Sequence, residues 1–316
     1  MSLRRILPIG LLALVALAAP AAAQAKYVVA IGDQNPNVFA EPRFQALKIK
    51  KVRYIVPWDF YKDAGQAGEV AAYMNAAHAA GKDVLVSFTA RRGCFDNGKY
   101  SRSKACRAPS ASAYKSAFLR FDKLYPWVKT YSAWNEVNHV SQPTAKSPKL
   151  AARYYNVLRN YTKSRKFRLV AADVLDSSNV ASYLRSFLRS AKGSPRLWGV
   201  HNYADVNRKR SRGTRAVLRT VPGEVWMTET GGILQFAPDF PRSESRAASR
   251  AAYTFSLAST YSKRRSGNRS KITRLYYYQY TGADSSARFD AGLVNPDGSP
   301  RKAYNTFLSK ARHQAR

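Results

Sequence analysis

Eight short apolar runs, rich in β-branched and aromatic residues, recur along this chain, with stretches of helical character between them. The runs are 27–31, 52–57, 83–88, 128–135, 168–173, 197–202, 225–228 and 273–279. Near-continuous apolar character, rather than strict alternation, is what strands covered on both faces require. Between them, segments 69–80, 110–124, 150–162, 180–188, 245–261 and 303–312 read as amphipathic helices; Tyr114, Phe118 and Phe121, for example, share one helical face. Consecutive strands separated by helices pair in parallel, and eight repeats are the number that closes a ring. The expected fold is therefore α/β, a single (β/α)8 TIM barrel over 26–316. The competing arrangement, an open doubly wound sheet, carries a glycine-rich first turn for phosphate, and Ile31-Gly32-Asp33-Gln34-Asn35 has no such spacing. No Gly/Ser-rich or Pro-rich linker divides the chain.

A closed barrel presents its chemistry at the C-terminal ends of its strands. Of the six glutamates, Glu136 and Glu229 stand at such ends, in Tyr131-Ser132-Ala133-Trp134-Asn135-Glu136 and Val225-Trp226-Met227-Thr228-Glu229. A carboxylate at the tip of a buried strand is costly to desolvate, so its presence there needs a reason. Two carboxyls about 5–5.5 Å apart are the arrangement for glycoside cleavage with retention: one protonates the leaving oxygen while the other attacks the sugar carbon. At that separation the two charges repel, so one of the pair, Glu136, is expected to carry a raised pKa.

These residues resemble those of the clan A glycoside hydrolases, retaining barrel enzymes with an Asn-Glu pair ending strand four and a second glutamate ending strand seven. The matching stretches are Trp134-Asn135-Glu136, Thr228-Glu229-Thr230, Val200-His201-Asn202-Tyr203 after strand six, and Arg53 within Val52-Arg53-Tyr54-Ile55-Val56-Pro57-Trp58. The resemblance implies that Glu136 is the general acid/base and Glu229 the nucleophile, with no metal and no organic cofactor. It also implies supporting places for Asn135 on the sugar hydroxyl next to the anomeric carbon, Tyr203 and Arg53 beside Glu229, and His201 in the Glu136 network. Arg53 has a second reading, a salt bridge in the barrel floor. Asp33 and Asp173, also at strand ends, are expected to be structural or to meet substrate hydroxyls. The chain departs from the family 5 pattern at strand three, where Ser87-Phe88-Thr89-Ala90-Arg91-Arg92 has no histidine. It departs again at strand eight, where Tyr276-Tyr277-Tyr278-Gln279-Tyr280 stands in place of a tryptophan. Tyr278 or Tyr280 is the expected ring under the sugar, with Trp58 as a further stacking surface.

The first 25 residues read as a secretory signal peptide: Arg4 and Arg5, an apolar region from Ile6 to Ala19, then Ala23-Gln24-Ala25 as the cleavage site. A secreted, monomeric enzyme is expected, with no membrane span after cleavage. In an oxidising compartment the only two cysteines, Cys94 and Cys106, form a disulfide, and the four scattered histidines make no metal motif. The net charge of +34 attracts polyanions, and an anionic cell-wall polymer is the expected electrostatic partner. Basic residues Arg91, Arg92 and Arg208 fall in loops expected above the barrel mouth, where they would suit an acidic polysaccharide. Nucleic acid is not expected as a partner, because no helix-turn-helix, zinc-finger or RNA-recognition pattern occurs. The readings that compete with a glycosidase on a carbohydrate substrate are a non-catalytic wall-binding barrel and a polyanion-binding surface protein.

Overall fold

The computed structural model describes residues 27–314; the expected signal peptide lies outside the described residues. Eight parallel strands form the barrel: β1 (Val28–Gly32), β2 (Lys51–Pro57), β3 (Asp83–Thr89), β4 (Thr130–Ser132), β5 (two segments, Arg168–Val170 and Asp173–Leu175), β6 (Leu197–His201), β7 (Gly223–Thr230) and β8 (Ser270–Tyr278). Neighbours in sequence are neighbours in the sheet, and β8 returns to pair with β1. Closure passes through β5. Its first segment pairs with β4 and its second with β6, and the chain steps between them at Ala171 and Ala172. The ring thus closes through β5, and among the described residues the barrel strands are paired with a neighbour on either side.

A helix follows every strand. They are α1 (Pro42–Ala46), α2 (Ala64–Ala79), α3 (Ala111–Leu124), α4 (Pro148–Thr162), α5 (Val180–Ser190), the pair α6 (Tyr203–Asn207) and α7 (Arg212–Thr220) after β6, α8 (Glu244–Tyr261) and α9 (Lys302–Gln314). Local chemistry sets their starts. Asp63, Ser110, Ser147 and Ser243 each accept a hydrogen bond from a backbone N–H in the first turn of α2, α3, α4 and α8. The Asp63 cap begins α2 five residues before the expected position 69, despite Gly65 and Gly68 in its opening turns. At its other end Gly81 takes φ 63°, the left-handed conformation that stops a helix at little steric cost.

The barrel interior is layered. Ala30, Leu85, Val170, Trp226 and Tyr276 form a dry plug near the bottom, with the Arg274 guanidinium 3.8 Å from the Trp226 ring centre. One layer up the interior turns polar. Asp173, with no exposed surface, accepts hydrogen bonds from Ser87 (3.2 Å) and Thr228 (2.7 Å). Gly199 on β6 makes room for it: a Cβ there would stand 1.6 Å from Asp173 Oδ1. The large apolar core fills the space between strands and helices.

Cys94 and Cys106 are joined. They staple the β3–α3 connection, which carries a small hairpin (Phe95–Asp96 with Lys99–Tyr100). A two-stranded antiparallel ribbon, Gln235–Phe236 with Phe289–Asp290, ties the loop after β7 to the loop after β8.

Asp176, just past β5, anchors the start of α6. Its carboxylate accepts from the backbone N–H groups of Ala204 (3.3 Å) and Asp205 (2.6 Å). Burial and, next, the neighbouring Asp205 push its pKa up to about 7. An acid whose folded pKa is raised holds its proton more tightly in the native state, so the stability linked to it is greatest below about pH 4 and is lost as pH rises towards 7. We expect Asp176→Asn to be destabilising at pH 4, where it loses one accepting oxygen. Its stability relative to the parent should then rise by about 3 kcal/mol between pH 4 and 7. Thermal melts of both proteins across that range measure it, and a pH-independent difference contradicts the assignment.

Candidate active site

Glu136 and Glu229 both emerge at the top of the barrel, and a carboxylate oxygen of each lies within 4.8 Å of the other and of a ring nitrogen of His201. The local backbone explains how Glu136 gets there. After Ser132 the chain leaves regular pairing and turns inward over the mouth: Asn135 N–H donates to the Phe88 carbonyl (2.7 Å) and Val137 N–H to that of Asp173 (2.9 Å). Between them Glu136 adopts φ 46°, a left-handed conformation uncommon outside glycine, and such residues persist only where their surroundings over-determine them. Gln142 helps to do so. Its buried side-chain carbonyl accepts from Trp134 Nε1 (2.9 Å) and from the Ala90 N–H (3.2 Å), pinning the loop after β4 to the end of β3.

The two carboxylates have different partners. Arg53, fully buried on β2, donates from Nη1 to Glu229 Oε2 at 2.7 Å and from Nη2 to Asn135 Oδ1 at 2.5 Å. Its Nη2 also stands 3.6 Å from Asp173. Tyr203 OH donates to the other oxygen of Glu229 at 3.2 Å. Glu136 instead meets histidines. His201 Nδ1 lies 3.1 Å from its Oε1, and His139 Nδ1 lies 3.6 Å from its Oε2. The side chain of Glu136 is 19% exposed, that of Glu229 is 10% exposed, and His201 is fully enclosed.

The electrostatics follow from these contacts. Burial raises the Glu136 pKa, but the His201 hydrogen bond and charge, followed by His139 and Arg53, outweigh it and hold the carboxyl below its ordinary value. This corrects the expectation that repulsion from Glu229 raises it: the cations between and beside the two acids dominate. For His201, burial acts downward, but Glu229, Glu136 and Asp173 together lift its pKa above the usual histidine value despite Arg53. Burial is opposed at Arg53 by Glu229 and Asp173, which keep the guanidinium protonated. The salt-bridge reading of Arg53 and its place beside Glu229 are thus the same contact.

Glu136, His201 and Glu229 also have ligand atoms close enough for a metal ion. Arg53 already places a cation 2.7 Å from Glu229 and 3.3 Å from His201 Nε2, and a second positive charge beside it would be repelled.

Asn135, Arg53, His201 and Tyr203 therefore surround the two glutamates, and two of the expected stacking rings do not. Tyr280 is buried against Phe44 and Tyr304, its ring centres 5.1 and 6.5 Å from theirs. β8 has ended at Tyr278, and the chain beyond it swings outward into the wall. Trp58 is 7% exposed within the apolar core, with Lys62 Nζ 4.9 Å from its ring. Tyr278 stays partly open at the mouth, and its ring fits over Gly32, where a Cβ would approach to 3.0 Å. Tyr203 packs edge-on against Phe289 (5.5 Å), which meets Phe236 at 6.0 Å, so the ribbon between the two loops supplies an aromatic wall. The basic residues at the mouth are partly neutralised, with Arg91 paired to Asp59 at 2.8 Å and Arg92 paired to Glu69 at 2.5 Å.

His139, Gln142 and Phe289 carry no signal in the sequence, because each reaches the site from an irregular loop. Asp33 closes the barrel rather than facing the mouth: its carboxylate accepts from Asn35 and Thr281 N–H groups, both at 2.7 Å.

Residues 108–307 match the glycosyl hydrolase catalytic core family. No curated protein matches the sequence. Among solved structures, the chain is similar to GH5_18 from Streptomyces cattleya in complex with GlcNAc (16% identity, 93% of this chain and 81% of that one, TM-score 0.59). It is also similar to the endo-1,4-beta-D-xylanase 10B of Clostridium thermocellum (14% identity, 93% and 69%, TM-score 0.61). A third is GH5_18 from Bifidobacterium longum subsp. longum in complex with Manb1-4GlcNAc (12% identity, 91% and 78%, TM-score 0.60). At these identities the solved structures speak for the barrel. The family match spans well over half of the chain and both strands that carry the paired glutamates: this protein belongs to the glycosyl hydrolase catalytic core family and is a glycosidase.

Proposed function

We propose that the protein hydrolyses a poly- or oligosaccharide with retention of anomeric configuration, by double displacement, with Glu229 as nucleophile and Glu136 as general acid/base. The observation that carries this reading is a pair of carboxylates whose oxygens lie within 4.8 Å, with Arg53 and Tyr203 on Glu229 alone and His201 between the two, 3.1 Å from Glu136 and 3.7 Å from Glu229. Glu229 is held by Arg53 and Tyr203, donors that keep their protons at neutral pH. Such a carboxylate is held in place and aimed, as a nucleophile must be. Glu136 is held by His201, a side chain of the type that exchanges protons near neutrality, and His139 stands 3.6 Å from its other oxygen.

In the first step Glu229 attacks the anomeric carbon while Glu136 gives its proton to the departing oxygen. Esterification removes the negative charge of Glu229, and Glu136 then takes a proton from water as that water cleaves the ester. Asn135, oriented by Arg53, faces the hydroxyl next to the anomeric carbon. Tyr278 offers the sugar a ring face. Before substrate binds, His201 is displaced upward and Glu136 downward, so the proton that Glu136 delivers must reach it from His201, 3.1 Å away.

Export belongs to the same reading. The Cys94–Cys106 bond fits an oxidising compartment, and no helix among the described residues is long and apolar enough to cross a membrane.

The test is stereochemical. On a chromogenic glycoside that the protein turns over, proton NMR during the first minutes should show the product sugar in the anomeric configuration of the substrate, mutarotating later. First-formed product of inverted configuration rules out double displacement.

A further inference from the structure

The bottom of the barrel, at the N-terminal ends of the strands, is built differently from the mouth. Arg196 precedes β6, Gly223 opens β7, and Arg269 and Lys271 flank the start of β8. With Lys263 and Arg264 from the α8–β8 turn they line a concavity of 390 Å³. A second concavity of 390 Å³ shares Arg196 and Arg269 with the first. On the other side of the same turn lies a third, of 530 Å³, with Arg265 and Lys310 beside the hydroxyl-bearing Ser256, Ser259 and Thr260. No acidic residue lines any of the three.

None of these seven cations takes part in an ion pair among the described residues. That separates them from Arg91 and Arg92 at the mouth, which are paired. Two are nevertheless fixed in place: Arg269 Nη1 donates to the Thr220 carbonyl (3.0 Å) and Arg265 Nε to that of Thr260 (2.8 Å). Each guanidinium keeps further N–H donors for a ligand.

We infer that this face is a second binding site, for a linear polyanion laid along the α8–β8 turn across the three concavities. It rests on the structure alone and not on the assignment of Glu136 and Glu229. Contiguous concavities lined by unpaired cations match a chain of repeated anionic groups, each cation meeting one of them. Recognition is of charge rather than of bases. The aromatic residues lining these concavities, Tyr27 and Phe255, are 2% and 4% exposed, so no ring is offered for stacking. The ligand class assigned is a linear polymer of phosphate or carboxylate groups, with no bases to be read. The site lies at the end of the barrel opposite Glu136 and Glu229, so it holds the enzyme on an anionic matrix while leaving the mouth free for substrate.

The experiment titrates the full protein with long-chain inorganic polyphosphate and, separately, with polyglutamate, at low and at roughly physiological salt. A triple variant, Lys263→Glu, Arg264→Glu and Arg269→Glu, is compared with a control triple of equal charge change in the disulfide loop, Lys99→Glu, Arg102→Glu and Lys104→Glu. The first triple should weaken binding at least about tenfold and flatten its salt dependence, while turnover of a small chromogenic glycoside stays unchanged and the control triple binds like the parent. The tighter of the two polymers identifies the anionic group. Equal losses in both triples reduce the effect to net charge and overturn the site, as does failure of both polymers to bind the parent. Duplex DNA binding more tightly than both polymers overturns the ligand class.

Discussion

Replacing Glu229 by glutamine is expected to lower kcat by on the order of 10⁴–10⁶-fold, the scale on which loss of a covalent nucleophile acts in other enzymes. The amide keeps the shape and can still accept from Tyr203, so the fold and substrate binding should survive. What disappears is the negative charge that attacks the anomeric carbon and that balances Arg53, which lies 2.7 Å away with no exposed surface of its side chain. Asp173, 3.6 Å from the same guanidinium, remains as a counter-charge, so the loss should register in turnover far more than in melting temperature. Activity within tenfold of the parent removes Glu229 from the nucleophile position.

Glu136→Gln should cost about 10²–10⁴-fold, the range in which a positioned acid/base acts, with a dependence on the leaving group that Glu229→Gln lacks. A glycoside whose leaving group departs without a proton no longer needs the acid, so its first step should be nearly normal. The second step then stalls, because no base activates water. A small anionic nucleophile such as azide requires no deprotonation and should restore turnover, yielding the glycosyl azide of unchanged anomeric configuration. Absence of rescue, together with equal losses for good and poor leaving groups, assigns Glu136 to binding rather than proton transfer.

The barrel was legible because its signal is repetitive. Each strand is a compact apolar run, and the order of runs alone dictates a parallel ring. What escaped was short or polar. α6 has five residues, and α7 is so basic that its apolar face reduces to positions such as Val217 and Leu218. The convergence of Arg53, Glu136, His201 and Glu229 was readable for a related reason. Arg53, His201 and Glu229 lie on strands, where the alternation of the pleat and the closed ring leave little freedom in direction, whereas Glu136 follows β4 by four residues and is aimed by its loop.

Once a strand ends, that guidance stops. Tyr278 and Tyr280 look equivalent in sequence, yet β8 terminates between them and only Tyr278 faces the mouth. The sign of the Glu136 shift was out of reach for a similar reason. It depends on His201 at 3.1 Å and His139 at 3.6 Å, and His139 arrives from an irregular turn held by Gln142. Asp173 shows a third kind of limit. It was expected at a strand end, but β5 runs on to Leu175, and its burial beneath Arg53 depends on the space left by Gly199 on the neighbouring strand.

The most direct measurement is to trap the covalent intermediate. An activated sugar carrying fluorine in place of the hydroxyl next to the anomeric carbon slows both steps by destabilising their oxocarbenium-like transition states, and its good leaving group lets the first outrun the second. Mass spectrometry of the digested, inactivated protein should find one glycosyl ester, on the peptide containing Glu229, and none in Glu229→Gln. A label on Glu136, or inactivation of the Glu229→Gln variant at the rate of the parent, would contradict the account.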